Sequence, residues 1–208
     1  MLGIENFLSF MVTALFFIMT PGMDTVFVLN KSISQGRKSG ITSAIGINAG
    51  VLTHVFFSAL GLTVIISKSE TAFMFVKYAG AAYIFYMGVL KLKSNTDILN
   101  NTDDANAIKP SKNDFWSGFF TNSLNPKVAL FFLAFFPQFI NPSQLEDPVP
   151  FILLGLTYAF IGIVWYLMLT VFASKFSETI KSNPKSGVWI NRISGFIFVL
   201  MGLQIAFG

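Results

Sequence analysis

Apolar residues in this chain form long uninterrupted blocks, not the alternating or one-faced patterns of water-soluble strands and helices. Six runs stand out: Phe7 to Leu29, Ile41 to Ser67, Thr71 to Leu92, Phe115 to Ile140, Val149 to Ala173 and Val188 to Phe207. Each approaches or exceeds the roughly 20 residues that a helix rising about 1.5 Å per residue needs to cross about 30 Å of hydrocarbon. The pattern predicts an all-α integral membrane protein of six transmembrane helices. The second and third runs are divided only by Ser67-Lys68-Ser69-Glu70, so a turn is expected there.

Two runs carry the wrong chemistry for an unbroken span. In the first, Thr20-Pro21-Gly22-Met23-Asp24 combines a residue without a backbone donor, one without a side chain, and a carboxyl group. An Asp near the bilayer centre costs about 2.5–3.5 kcal/mol on insertion scales, so it implies a partner, a proton or a water-filled cavity. In the fourth run, Asn125-Pro126-Lys127 repeats the interruption with a basic residue. The first and fourth helices are therefore expected to be broken at their proline motifs. A re-entrant first segment with five true spans is the competing arrangement.

The polar stretch Lys93 to Asp114 divides the chain into halves of three helices, residues 1–92 and 115–208, within one membrane domain spanning 1–208. An odd number of helices per half makes the second half enter the membrane in the opposite direction, the inverted arrangement of many secondary transporters. Gly80 to Gly88 in the third run resembles Gly195 to Gly202 in the sixth, which supports two inverted three-helix repeats.

Charge sets the expected orientation. Eleven of the 14 basic residues, Lys31, Arg37, Lys38, Lys91, Lys93, Lys109, Lys112, Lys175, Lys181, Lys185 and Arg192, lie in or beside the odd connections. The positive-inside rule makes those connections cytoplasmic, the 93–114 linker included, and places both termini outside, on the periplasmic or extracellular face. The pI of 9.3 is thereby explained by membrane orientation, with no nucleic-acid partner. Residues before the first run include no Lys or Arg, so that run is expected to stay in the mature chain rather than act as a cleaved signal.

Composition narrows the chemistry. Charged residues make up 12% of the chain, about half of what soluble domains carry, in keeping with a lipid bilayer as solvent. The absence of Cys and the presence of one His leave no expected metal centre, and no phosphate-binding loop or nucleophile–base arrangement points to an enzyme or a cofactor. Transport must then be gradient-driven or passive.

The candidate site follows from the interruptions. Leaving aside those near the run ends and His54, Asp24 and Lys127 are the acidic and basic side chains well inside the runs, and inverted symmetry brings them to one central region, where they can pair when the site is empty. A zwitterionic ligand can compete, with its amine facing Asp24 and its carboxylate facing Lys127 or the freed N–H groups of a half-helix. A structural ion pair, or snorkelling of Asp24 toward the cytoplasmic face, is the bland alternative. Pro21, Gly22 and Pro126 make the breaks, while Asn122 and Asn125 either satisfy freed backbone groups or contact substrate. His54, near the middle of the second run, is either a proton relay or a neutral interhelical hydrogen-bonding group. Gly46-Ile47-Asn48-Ala49-Gly50 predicts close helix packing with Asn48 as interhelical glue.

These motifs together resemble the LysE/RhtB family of bacterial amino-acid exporters. The resemblance rests on Thr20-Pro21-Gly22-Met23-Asp24, Gly36-Arg37-Lys38-Ser39-Gly40, Ala59-Leu60-Gly61-Leu62, Gly80-Ala81-Ala82-Tyr83, and Gly118-Phe119 with Asn122 to Lys127 followed by Phe135-Phe136-Pro137-Gln138-Phe139. It implies a small bacterial inner-membrane exporter of amino acids or related metabolites, proton-coupled, with Asp24 and Lys127 on the transport path. Met23 stands where the family usually has a second proline, which predicts a softer break. The expected function is alternating-access export of small zwitterions; an uncoupled, channel-like efflux valve is the alternative. A bundle of six short helices has little interior, so a homodimer is the expected partner arrangement.

Overall fold

The computed structural model of the chain describes residues 3–94, 113–173 and 184–207. Helices α1 (Phe7–Met19) and α2 (Met23–Ser34) form the first pass, α3 (Arg37–Phe57) continues through a wide turn at Ser58–Leu62 into α4 (Thr63–Lys68), and α5 (Glu70–Lys93) follows. After the linker come α6 (Asp114–Ser123) and α7 (Pro126–Phe135), then α8 (Pro148–Val171) and α9 (Pro184–Phe207). Among the described residues, four helical segments are long and apolar enough to span a membrane, and up to six if each bent pair is one span. The bends are 55° between α1 and α2 and 49° between α6 and the α7 segment.

Contacts at the ends of the two bent pairs show how they lie against each other. Before α1, the Glu5 amide donates to Phe139 O at 2.8 Å and Asn141 N donates to Gly3 O at 2.8 Å, so the chain start lies beside the end of the α7 segment. At the far end of α2, the Lys31 ammonium pairs with Asp114 at the start of α6 at 2.7 Å. The α1–α2 and α6–α7 segments therefore lie beside one another in opposite directions.

The turns follow the local chemistry. Ser69, extended at φ −159°, caps α5 by accepting from Ala72 N at 3.1 Å, which places the second-to-third division inside the expected polar break. Asn125 caps α7 by accepting from Lys127 N at 3.0 Å, with Pro126 in the first turn, where its missing N–H costs nothing. The wide turn at Ser58–Leu62 is held by Thr63 Oγ1, which donates to Ala59 O at 2.7 Å.

Packing uses small residues where backbones meet. A Cβ on Gly46 would overlap Phe115 O, and one on Gly50 would stand 2.7 Å from Phe119 O, so the Gly46–Gly50 spacing lets α3 lie against α6. The two glycine segments that resemble each other, on α5 and α9, pack on one another: a Cβ on Gly88 would meet Gly195 O at 2.8 Å, and one on Gly202 would meet Ala81 O at 2.9 Å. Large apolar side chains such as Phe75, Phe160 and Phe196 remain exposed, as expected of a lipid-facing surface. The core is aromatic, with Phe17, Phe131, Phe132 and Phe136 fully buried and Phe17 stacked on Phe131 at 4.1 Å. Most of the 93–114 linker, and Lys109, Lys112, Lys175 and Lys181, lie outside the described residues.

Candidate functional site: two broken spans meeting at Asp24 and Lys127

Breaking a helix in a region without water exposes backbone groups that must find partners within the protein. At the C-terminus of α1, Thr20 Oγ1 donates to Phe16 O at 2.8 Å. The Lys127 ammonium donates to Phe17 O and to Thr20 O, both at 3.0 Å, and Lys91 of α5 donates to Pro21 O at 2.8 Å. Two lysines from different helices thus cover the freed carbonyls, where the negative end of the α1 dipole favours cations. Lys127 also lies over the Phe17 ring at 4.5 Å and near the Phe198 ring at 5.3 Å, so its charge is held by carbonyls and aromatic faces.

Asp24 occupies the opposite pole, in the first turn of α2, where a carboxylate complements the helix N-terminus. It is buried, and its Oδ2 accepts from Asn122 Nδ2 at 2.9 Å. Its Oδ1 is buried without a hydrogen-bond partner in the protein, as is Oδ1 of Asn122. A buried, unpartnered acceptor is costly and rare, and at this position it invites a donor from outside the fold. Tyr158 and Tyr166 of α8 lie within electrostatic reach of the carboxylate, and Asn125 stands beside it.

Asp24 and Lys127 are electrostatic neighbours, yet they do not pair as the sequence allows. Each instead holds part of the break: the ammonium takes the carbonyl end of α1, and the carboxylate reaches across to the second broken span. The physical reason is that proline and glycine free backbone acceptors, and these compete successfully with a carboxylate for the lysine.

His54 joins the same network. Its Nε2 lies 2.9 Å from Asn122 O, a carbonyl that also accepts from Asn125 N at 2.8 Å. Asn122 thus links α2, α3 and the second break. Asn48 makes none of these bonds: it faces α8, where a Cβ on Gly162 would stand 3.2 Å from its Oδ1, and that oxygen has no donor. The structure therefore brings together Pro21, Gly22, Asp24, His54, Asn122, Asn125, Pro126 and Lys127, and leaves Asn48 to the side.

Sequence reasoning missed three residues at the site and the pairing of a fourth nearby. Lys91 looked like one more cytoplasmic charge at a helix end, and only its bond to Pro21 reveals its part in the break. Tyr158 and Tyr166 gave no signal beyond being polar-tipped residues in an apolar run. Lys31, counted toward orientation, is 1% exposed and paired with Asp114, which also accepts from Ser39 Oγ at 2.7 Å.

Comparisons with known proteins place the chain among membrane transport proteins. The chain is 29% identical over 204 residues to a protein named leucine efflux protein from Klebsiella pneumoniae subsp. pneumoniae, covering 98% of this chain and 96% of that one. It is 29% identical over 205 residues to the leucine efflux protein of an Enterobacter species, at 98% and 96% coverage. It is 27% identical over 205 residues to an uncharacterised membrane protein of Vibrio cholerae, at 99% and 98% coverage. No solved structure matches the chain. The family model described as LysE type translocator matches residues 15–208, nearly the whole chain and both broken spans. The chain therefore belongs to the LysE type translocator family and is a multi-pass membrane transporter.

Proposed function

We propose that this transporter exports small amino acids from the cytoplasm by alternating access, with the inward movement of protons driving the outward movement of substrate. The observation that carries the reading is the buried Asp24 Oδ1, which has no protein donor and lies where the two broken spans meet, close to a lysine that holds backbone carbonyls instead of the carboxylate. An α-amino group supplies the missing donor to Asp24, and the substrate carboxylate answers the positive charge around the first break. Relatives named for leucine efflux support an amino acid as cargo.

On this reading residues 1–92 and 115–208 are two inverted three-helix repeats that rock about the breaks, the 93–114 linker is cytoplasmic, and both termini face outside the inner membrane. The exposed apolar surface leaves room for a homodimer. Proton coupling places the proton on Asp24 when substrate leaves, since a buried carboxylate cannot remain charged and uncompensated.

Purified protein in liposomes tests this. With labelled leucine and an imposed proton gradient, leucine should accumulate against its own gradient, and a protonophore should abolish the accumulation. Downhill movement that is indifferent to the protonophore would mean an uncoupled valve, and no movement of any amino acid would end the reading.

A further inference from the structure

Beside the first break, at the Asp114 end of the bundle, a hollow of about 460 Å³ opens between the start of α2 and the facing ends of α5 and α9. We infer that this hollow is a waiting subsite for an amino acid with an apolar side chain, and that Lys91 is the residue that selects its carboxylate. The inference rests on the proposed export of amino acids and adds a second place, ahead of Asp24, where substrate is chosen.

Size comes first: small-ligand pockets run from about 300 to 1,000 Å³, so one amino acid fits with room for water. Met23, Val26, Met87 and Leu90 form an apolar side of the wall, with Ser94 and Asn191 lining the hollow beside Lys91, and methionines adapt to side chains of varied shape. Lys91 is the charged residue lining it. Of its three N–H donors one is committed to Pro21 O, which fixes the ammonium in place and leaves donors for an anion.

The charge around the hollow is unbalanced toward positive. Lys91 and Lys127 are close enough to repel one another, while Asp24, the nearby carboxylate, points away to Asn122 on α6. The first N–H groups of α2 add to the positive side, because Gly22 offers no side-chain cap to them. An anion placed against Lys91 relieves that repulsion.

The floor explains how substrate moves on. Gly22 separates the hollow from Lys127: a Cβ there would stand 3.5 Å from Lys127 Cδ and 3.6 Å from its Nζ. With only a hydrogen in that place, a carboxylate held by Lys91 has the second ammonium directly behind a thin backbone wall, and a small rocking of α1 against α2 transfers it.

The test uses the full chain in liposomes with labelled leucine. Lys91→Gln should raise the KM for leucine about tenfold, the usual worth of a charge-assisted contact, with maximal rate within about twofold. Lys91→Arg should restore the KM to within about threefold, because the charge returns with altered geometry. Leucinamide, which lacks the carboxylate, should inhibit wild type and Lys91→Gln equally. An unchanged leucine KM, or equal losses for leucine and leucinamide, would overturn the inference and assign Lys91 to the backbone alone. A KM shift seen only with anionic lipid present would overturn it too, by making a headgroup the anion. If Lys91→Gln does not reach the membrane, Met87→Trp carries the test: leucine KM should rise while glycine KM holds, and equal effects on both would contradict the subsite. Wild type that moves no amino acid defeats the function itself, whereas active wild type with an indifferent Lys91 defeats only this inference.

Discussion

Asn122 Nδ2 donates to Asp24 Oδ2 across 2.9 Å, a single hydrogen bond that ties the second broken span to the first. Replacing Asn122 by Leu leaves the carboxylate buried without that donor. The loss should cost about 1–3 kcal/mol, read as a lowered melting temperature in detergent. Adding Asp24→Leu to Asn122→Leu should recover much of the stability and none of the export, because removing both partners also removes the desolvation penalty. Additive losses would show that the bond is incidental.

His54 sits on Asn122 O, and a neutral donor suffices for that contact. His54→Gln should therefore retain export and its response to the proton gradient, while His54→Leu should lower stability by about 1 kcal/mol and slow transport. Loss of uphill export in a folded His54→Gln protein would make the imidazole the proton carrier.

The pair of Lys31 with Asp114 ties α2 to α6 at the opposite end of those two half-helices from Asp24 and Asn122. Lys31 is 1% exposed, so removing its partner strands a buried charge. Asp114→Asn should then cost about 3–5 kcal/mol. Lys31→Met with Asp114→Leu should be milder than either single change. Thermal unfolding decides it: a single-variant loss below about 0.5 kcal/mol would place the pair in water.

Glycine positions offer a matched control for the fold. Gly46→Ala places a methyl group against Phe115 O, and overpacking of this kind costs about 1–3 kcal/mol. At Gly61 a Cβ would meet nothing within 4 Å, so Gly61→Ala should be neutral or stabilising by up to about 1 kcal/mol. Equal effects on folded yield would mean that α3 and α6 do not approach as described.

Much of this architecture was legible because membrane sequences write their constraints in composition. Residues 67–70 announced the turn before α5, and Pro21 and Pro126 announced the two bends. The Gly46–Gly50 spacing announced a close helix contact, though not that α6 would fill it. The partners of charges were illegible for a consistent reason: sequence displays side chains, and the groups that captured Lys127 and Lys91 are backbone carbonyls created by the break itself. The burial of Lys31 was illegible for a related reason, because it depends on how α2, α3 and α6 converge.

The central claim is that Asp24 receives the amine of the transported amino acid. The most direct measurement compares leucine transport by wild type and Asp24→Asn, each reconstituted in liposomes at equal orientation and density. Asparagine preserves size and the contact with Asn122, so the variant should melt within a few degrees of wild type, yet its transport should fall by about a hundredfold or more, as expected when a buried charge partner is removed. Transport retained within about twofold of wild type, in a protein that folds and inserts normally, would contradict the account.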